Sequence, residues 1–206
     1  MREVQLMQIS NSEIRARARK ALENNPFRRI WVMLVLMGFV TSAILGAANY
    51  LCFGLGFLLL SGPLYIGLYK IYLRVATDDS DIKFEHLFEG CYNFAPGLAL
   101  GVMHTLIIFL WSLLFLIPGI IKAYSYSMAY FIKSEHPEYG WRECLDESAF
   151  LMRGNKMRLF KLHMSFFGWI ILASLTLGIC SFWVEAYMNT ATAILYEELK
   201  EEKAYS

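Results

Sequence analysis

Three long uninterrupted apolar runs constrain the fold of this chain more than any other feature of its sequence. They contain no Lys, Arg, Asp or Glu, and they cover residues 30–69, 90–121 and 162–184, which are 40, 32 and 23 positions. A helix needs about 20 such residues to cross the hydrocarbon core of a bilayer. The first run is therefore long enough to cross twice, and the chain is predicted to be an all-α, polytopic membrane protein.

The overall composition supports this prediction and excludes some partners. Hydrophobic residues make up 57% of the 206 positions and charged residues only 18%, a balance that a soluble domain of this size does not keep off its surface. A net charge of +1 argues against nucleic acid as a partner. The predicted partner is the lipid bilayer, and a membrane-protein partner or a homo-oligomer stays open.

Helix-breaking pairs interrupt the apolar sequence at nearly regular intervals. Gly62-Pro63, Pro118-Gly119 and Leu177-Gly178 follow one another at spacings of 57 and 59 residues. This internal repeat predicts three hairpins, each turning tightly at its glycine, and therefore about six transmembrane helices. The predicted spans are 30–50, 54–75, 94–117, 119–132, 159–176 and 178–196.

Two of these boundaries leave alternatives. The repeat puts the first turn at Gly62, whereas spans of equal length put it near Tyr50. The fourth span is short, so a re-entrant or strongly kinked segment is also compatible with the sequence.

The basic residues give an orientation. In the six-span arrangement 18 of the 19 Lys and Arg residues fall on one side, and only Lys122 does not. By the positive-inside rule both termini and both long connections are cytoplasmic, and the first apolar run is an uncleaved anchor. The predicted layout is an N-terminal amphipathic basic helix (1–29), one membrane domain (30–199) with repeats 30–76, 94–133 and 159–199 joined by connections 77–93 and 134–158, and a tail (200–206).

The N-terminal segment is predicted to form an amphipathic helix. Ser10 and Glu13 have the spacing of a capping box, and an apolar stripe follows at helical intervals. The remaining positions carry basic side chains, including Arg15 and Arg19. Such a helix either lies on an anionic membrane surface with its apolar stripe down or is an ordinary solvated helix.

The second long connection is also amphipathic. Its stripe is formed by Trp141, Leu145, Ala149 and Met152, opposite a charged face. A helix that is too short to span is expected to lie at the interface or to pack beneath the bundle. The candidate residues for docking on the membrane surface or on a partner are Arg15, Arg19, Trp141, Leu145 and Met152.

Several stretches of the chain resemble one bacterial family. The most specific is Leu113-Leu-Phe-Leu-Ile-Pro-Gly-Ile-Ile-Lys-Ala-Tyr-Ser-Tyr-Ser-Met-Ala129, and further matches lie at 13–22, 148–156, 165–169 and 196–199. These stretches are similar to the integral membrane proteins grouped as the domain of unknown function DUF975. Ala186 stands before Tyr187 where that family is expected to have proline, so a kink in the last span loses its basis.

The resemblance implies a multi-pass protein of the bacterial cell membrane. It also implies a distant similarity to the membrane domain attached to some glycerophosphodiester phosphodiesterases. It brings no catalytic residues.

Polar residues within the predicted spans form the candidate site. Glu185, Asn189 and Thr192 recur at i, i+4 and i+7, which puts them on one helix face. Lys122 follows a predicted turn by three residues, so it either snorkels outward or pairs with Glu185 at the centre of the three repeats. The seam either joins helices or lines a solute or ion path. The candidate seam residues are Lys122, Tyr126, Glu185, Asn189 and Thr192.

Nothing in the sequence identifies a reaction. His104 and His163 each stand alone, the four cysteines have neither CxxC nor Cys/His spacing, and common catalytic motifs are missing. No catalytic residue, metal or cofactor is therefore predicted. The leading hypothesis is a non-catalytic, membrane-embedded interaction or accessory component. Its rival is a small-solute or ion transporter or channel with a polar central path.

Overall fold

The protein is helical throughout the described residues, which are 9–23, 28–51, 55–77, 82–92, 94–175 and 181–204 of a computed structural model. Within these ranges there is no β-strand. In chain order the helices are α1 (Asn11–Glu23), α2 (Arg28–Leu51), α3 (Leu55–Ala76), a 3-10 helix (Phe84–Phe88), α4 (Glu89–Tyr92), α5 (Phe94–Leu114), α6 (Leu116–Ser125), α7 (Ala129–Glu135), α8 (Trp141–Leu151), α9 (Lys156–Met164), α10 (Phe167–Leu175) and α11 (Ser181–Ala204).

Three helices of the described chain are long and apolar enough to cross a membrane. They are the segments Ile30–Leu51, Leu55–Ala76 and Phe94–Leu113, with mean hydropathies of 2.2, 1.3 and 1.8. They lie in α2, α3 and α5. The prediction of an all-α chain with apolar membrane-spanning helices is confirmed at this level.

Helix α3 lies at the centre of the molecule, in contact with α2, α5, α7 and α11. Its glycines allow very close approach. A Cβ added at Gly62 would lie 2.1 Å from the carbonyl oxygen of Gly97, and one added at Gly101 would lie 2.7 Å from the Cα of Gly62. Gly97 and Gly101 form a small-xxx-small pair, a spacing that brings membrane helices into backbone contact.

Of the two alternatives for the first turn, the one at Gly62 is therefore wrong. Gly62 and Pro63 lie inside α3, which begins at Leu55, whereas α2 ends at Leu51, in agreement with the alternative near Tyr50. Proline is tolerated within a membrane helix because neighbouring groups satisfy the freed backbone. The second break is at Phe115, three residues before Pro118, which lies in the first turn of α6. The predicted turn at 177–178 lies outside the described residues.

The fourth and fifth predicted spans are each broken into two helices. The segment 119–132 is divided between α6 and α7, and the segment 159–176 between α9 and α10. At the first break Ser148 of α8 replaces the missing helical hydrogen bonds: its hydroxyl donates to the Ser125 carbonyl at 2.9 Å and accepts from the Met128 N–H at 3.1 Å. The sequence allowed a strong kink in the short fourth span, and the structure has it as the turn between α6 and α7.

The apolar stripe of α1 is buried within the protein. Ile14, Ala18 and Leu22 are each 0% exposed, and α1 packs against α11, α2 and α3. Both predictions for this helix are corrected, because its stripe is covered by the bundle and faces neither lipid nor water.

Candidate intramembrane site

Helix α11 presents two of the predicted seam residues to an open groove. Glu185 and Asn189 line this groove together with Tyr65 and Tyr69 of α3, and its volume is about 590 Å³. The Asn189 side chain also hydrogen-bonds the hydroxyl of Tyr72. The i, i+4 spacing therefore predicted correctly that these two polar groups point the same way. Here this groove is called the Glu185 groove.

Thr192 lies beyond the groove, in the interior. It is buried, its hydroxyl donates to the Met188 carbonyl at 2.8 Å, and it lies 3.4 Å from Nε2 of His163. The His163 ring in turn packs against Tyr124. Thr192 and His163 therefore join α11 to α9.

Lys122 contacts aromatic rings and not Glu185. Its ammonium lies 5.1 Å from the ring centroid of Trp111 and 3.5 Å from the hydroxyl of Tyr126. Among the described residues no ion pair joins Lys122 to Glu185. The predicted ion pair between Lys122 and Glu185 is therefore wrong. The cation–π contact keeps the Lys122 ammonium beside α5 and α6.

A cluster of tyrosines extends from Tyr126, beside Lys122, to Tyr65 and Tyr69, which line the Glu185 groove. His104 packs against Tyr126 and Tyr130 with ring centroids 6.5 and 5.2 Å apart. Tyr130 packs against Tyr65 and Tyr69 at 5.8 and 5.6 Å. These four tyrosines and His104 are called the tyrosine cluster. The sequence contains a signal for this cluster, since Tyr65 with Tyr69 and Tyr126 with Tyr130 are i, i+4 pairs, but of these four only Tyr126 was predicted as a site residue.

A second cavity lies on the other side of Tyr65 and Tyr69, between α3 and α5. Its volume is about 540 Å³, and Ser61 and His104 contribute to its wall. Ser61 is 1% exposed, and its Oγ has no hydrogen-bond partner among the described residues; the same holds for Nε2 of His104. Here this cavity is called the His104 cavity. It was not predicted, because neither residue is charged and they lie on different helices.

The predicted docking residues divide into two groups. Leu145 and Met152 are 3% and 0% exposed and belong to the core. Of the two alternatives for this helix, packing against the bundle therefore agrees with the structure, and docking through these two side chains is wrong. Trp141 is half-buried, with the Arg142 guanidinium 5.3 Å from its ring. Arg15 is half-buried, and its carbonyl accepts a hydrogen bond from Tyr187. Arg19 is exposed.

Ion pairs join several helices at the end of the bundle that carries α1 and α8. Arg158 of α9 contacts Glu198 of α11, and its Nη2 donates to the Ile9 carbonyl at 2.7 Å. Lys200 donates to both carboxylate oxygens of Glu135, at 2.7 and 2.9 Å. Burial disfavours the charged form of Lys200, but the Glu135 carboxylate outweighs it and raises the pKa of Lys200 above its ordinary value.

The same end contains a second network beneath α3. Lys70 donates to Glu89 Oε2 at 2.5 Å, and Arg74 lies 3.0 Å from a ring nitrogen of His86. Burial opposes ionisation of Glu89, but Lys70, with His86 and Arg74 nearby, outweighs it and holds the pKa of Glu89 below its usual range. These pairs fasten the short helices after α3 to the bundle.

The candidate site offers hydrogen-bonding and aromatic groups but no described metal cluster. Within the described ranges, no group of three His, Cys, Asp or Glu side chains is placed to hold an ion. Of the cysteines, Cys144 is buried and Cys91 half-buried, both as free thiols, while Cys52 and Cys180 lie outside the described residues.

An all-helical bundle with three helices apolar enough to cross a membrane, and with polar cavities between its helices, defines a helical membrane protein. The chain belongs to the DUF975 family, described as proteins of unknown function, whose family model matches residues 7–125 and 113–203. The predicted family resemblance is thereby confirmed. No curated protein and no solved structure matches the chain, and the distant similarity to a phosphodiesterase membrane domain stays a prediction.

Proposed function

We propose that this protein binds a small solute inside its helical bundle and moves it across the membrane, as a non-catalytic transporter or channel. This is the rival hypothesis of the sequence analysis. One observation carries it: the paired tyrosines Tyr65 and Tyr69 separate two cavities, one lined by Glu185 and Asn189 and the other by Ser61 and His104.

The position of these groups supports a solute path. Tyr65 lies ten residues into α3, and His104 lies ten residues into α5, about 15 Å along each helix. An ionised carboxylate such as Glu185 at membrane depth costs about 2.5 kcal/mol or more unless it is paired or hydrated. A groove open to solute or water supplies that hydration, whereas a sealed packing seam does not.

The interaction or accessory hypothesis is the second candidate. Its first support was the apolar stripes of the two amphipathic segments, and those stripes are buried against the bundle. One observation still favours it: Arg17, Arg19 and Lys20 are exposed on α1. A basic face of this kind fits anionic lipid or an acidic partner.

We also infer six membrane crossings, with both termini in the cytoplasm of a bacterial cell. In this arrangement α2, α3, α5 and α11 each cross, and the broken pairs α6–α7 and α9–α10 supply the other two crossings. The pairs Lys70–Glu89, Arg158–Glu198 and Lys200–Glu135 then all lie at the cytoplasmic end. This agrees with the positive-inside rule, which predicts that 18 of the 19 Lys and Arg residues lie on the cytoplasmic side.

We propose that the chain still contains three repeated hairpins, but that the first two align at different glycines from those the sequence suggested. Gly56 packs against Ala48 in the α2–α3 hairpin, and Gly119 packs against Ser112 in the α5–α6 hairpin. The two glycines are 63 residues apart. We therefore infer that Gly56, and not Gly62, is the counterpart of Gly119.

Transport can be tested in liposomes containing the purified protein. Stopped-flow light scattering reports entry of uncharged solutes, and trapped dyes report movement of potassium ions and protons. We expect saturable movement of at least one class and a loss of about tenfold or more in Glu185→Gln, which keeps the side-chain size. Absence of saturable movement, together with a stoichiometric protein partner purified in mild detergent, would favour the accessory hypothesis instead.

A further inference from the structure

The His104 cavity has two buried polar atoms without hydrogen-bond partners. Ser61 Oγ and His104 Nε2 both lack a partner within the described ranges, and the Ser61 side chain is almost fully enclosed. Buried polar groups in proteins are normally satisfied, so an unsatisfied pair on the wall of one cavity calls for an explanation. A bound molecule that supplies hydrogen bonds is one.

The chemistry of these two atoms limits what such a molecule must offer. A ring nitrogen of a neutral imidazole either donates or accepts a hydrogen bond, according to the tautomer. The hydroxyl of Ser61 both donates and accepts. A ligand hydroxyl group satisfies either atom.

The rest of the wall offers no partner for a charged ligand. Its described residues include no Asp, Glu, Lys or Arg, and aromatic rings such as Phe57, Phe109 and Tyr130 form much of it. A ligand carboxylate or phosphate would have no counter-charge among these residues. A quaternary ammonium group suits the aromatic faces, but the group itself offers no hydrogen bond to Ser61 or His104, so choline is the cation against which the assignment is tested.

We propose that the His104 cavity binds a small uncharged polyol or monosaccharide, whose hydroxyl groups bond Ser61 and His104 and whose C–H faces lie on the aromatic rings. This inference rests on the proposed solute-binding function and names its substrate class. A volume of about 540 Å³ is within the range of small-molecule sites.

The test is direct binding of radiolabelled probes to the purified protein in lipid nanodiscs. Glucose, gluconate and glucosamine share one carbon skeleton and differ in charge, myo-inositol and xylitol extend the uncharged set, and choline is a cation that suits aromatic faces. We expect at least one uncharged probe to bind at least tenfold more tightly than all three charged ones. Preferential binding of gluconate, glucosamine or choline would overturn the polyol assignment and leave the proposed solute-binding function standing. No binding by any probe would overturn the assignment, and the liposome assay then decides the wider function.

Two serine variants separate a ligand contact from a structural role. Ser61→Ala should weaken binding of the uncharged probe about fivefold while the thermal stability of the empty protein stays equal or rises, because an unsatisfied hydroxyl is removed. Ser134→Ala is the matched control: this serine is also buried, but its hydroxyl donates to Phe131 outside the cavity. It should lower stability and leave binding unchanged. Unaltered binding in Ser61→Ala would overturn the proposal.

Discussion

Glu89 is a single carboxylate that fastens the short helices after α3 to the bundle. Its pKa is lower in the folded chain than the ordinary value of 4.5, because Lys70 and its neighbours outweigh burial. A carboxyl of this kind stabilises the fold at pH values above its unfolded pKa. The stabilisation is lost as the pH falls from about 4.5 through the lower folded value.

We therefore expect Glu89→Gln to unfold at a temperature lower by about 2–4 °C at pH 7, which corresponds to about 1 kcal/mol in a chain of this length. The difference from the wild type should shrink below pH 4. Thermal unfolding in detergent at pH 7 and pH 3.5 measures both. Glu85→Gln is the control, since Glu85 is exposed on the adjacent 3-10 helix. An equal deficit at both pH values would contradict the assigned ion pair.

At the residue scale, the sequence predicted side-chain direction but not side-chain partners. The helical spacing of Glu185 and Asn189 placed both on one face, and both line one groove. Their partners Tyr65 and Tyr69 come from a helix more than a hundred positions earlier, and no local periodicity encodes that pairing. The sequence left Lys122 either snorkelling outward or paired with Glu185 through the repeat, and aromatic rings hold it instead of Glu185.

At the scale of elements, the contact between α3 and α5 depends on glycine. A methyl group at Gly62 would meet the backbone of Gly97, which a side-chain rotation cannot relieve. Gly62→Ala should therefore cost about 1–3 kcal/mol of stability, the usual range for overpacking. Thermal unfolding and the yield of folded protein report the loss.

Gly46→Ala provides the matched control for this prediction. Gly46 lies in α2, and an added Cβ there meets nothing within 4 Å. Because alanine favours helix over glycine by about 0.5–1 kcal/mol, Gly46→Ala should be neutral or stabilising. Equal effects of the two substitutions would show that helix propensity, and not close approach, decides the outcome.

The same glycine explains why one of the two alternatives for the first turn failed. A Gly-Pro pair ends most helices in water, and the repeat placed a turn at Gly62 on that basis. In a membrane helix the pair can persist, because proline is supported by neighbours and glycine admits a crossing helix. That α2, α3 and α5 are long and apolar was predictable from hydropathy, whereas the boundary between α2 and α3 lies inside one uninterrupted run, 30–69, and followed only from assuming spans of equal length. The break at Tyr126 was not predictable, because the Ser148 side chain of α8 supplies its hydrogen bonds.

At the scale of the whole molecule, the inferred topology can be tested by labelling single cysteines introduced on a cysteine-free background. Tyr50 and Phe115 are 87% and 67% exposed beside the first two hairpin breaks. Cysteines there should react with an impermeant maleimide added to intact cells. Cysteines at Ser12 and Arg153, both exposed at the opposite end, should react only after the cells are permeabilised. Labelling at Arg153 from outside would contradict the six-span arrangement.

Ser61 is unsuitable as a labelling position, because it lies inside α3 and is buried. A cysteine at that position would report local packing and not sidedness.

The central position of α3 also has a consequence for biosynthesis. Tyr65 and Tyr69 face α11, which leaves the ribosome more than a hundred residues after them. At about 5–20 residues per second, α3 spends several seconds in the bilayer before the helix that completes its groove exists. During that interval its polar, aromatic face is turned toward lipid or toward the insertion machinery. A nascent chain arrested before residue 181 should therefore crosslink from Tyr65 to an insertase, and the finished protein should not.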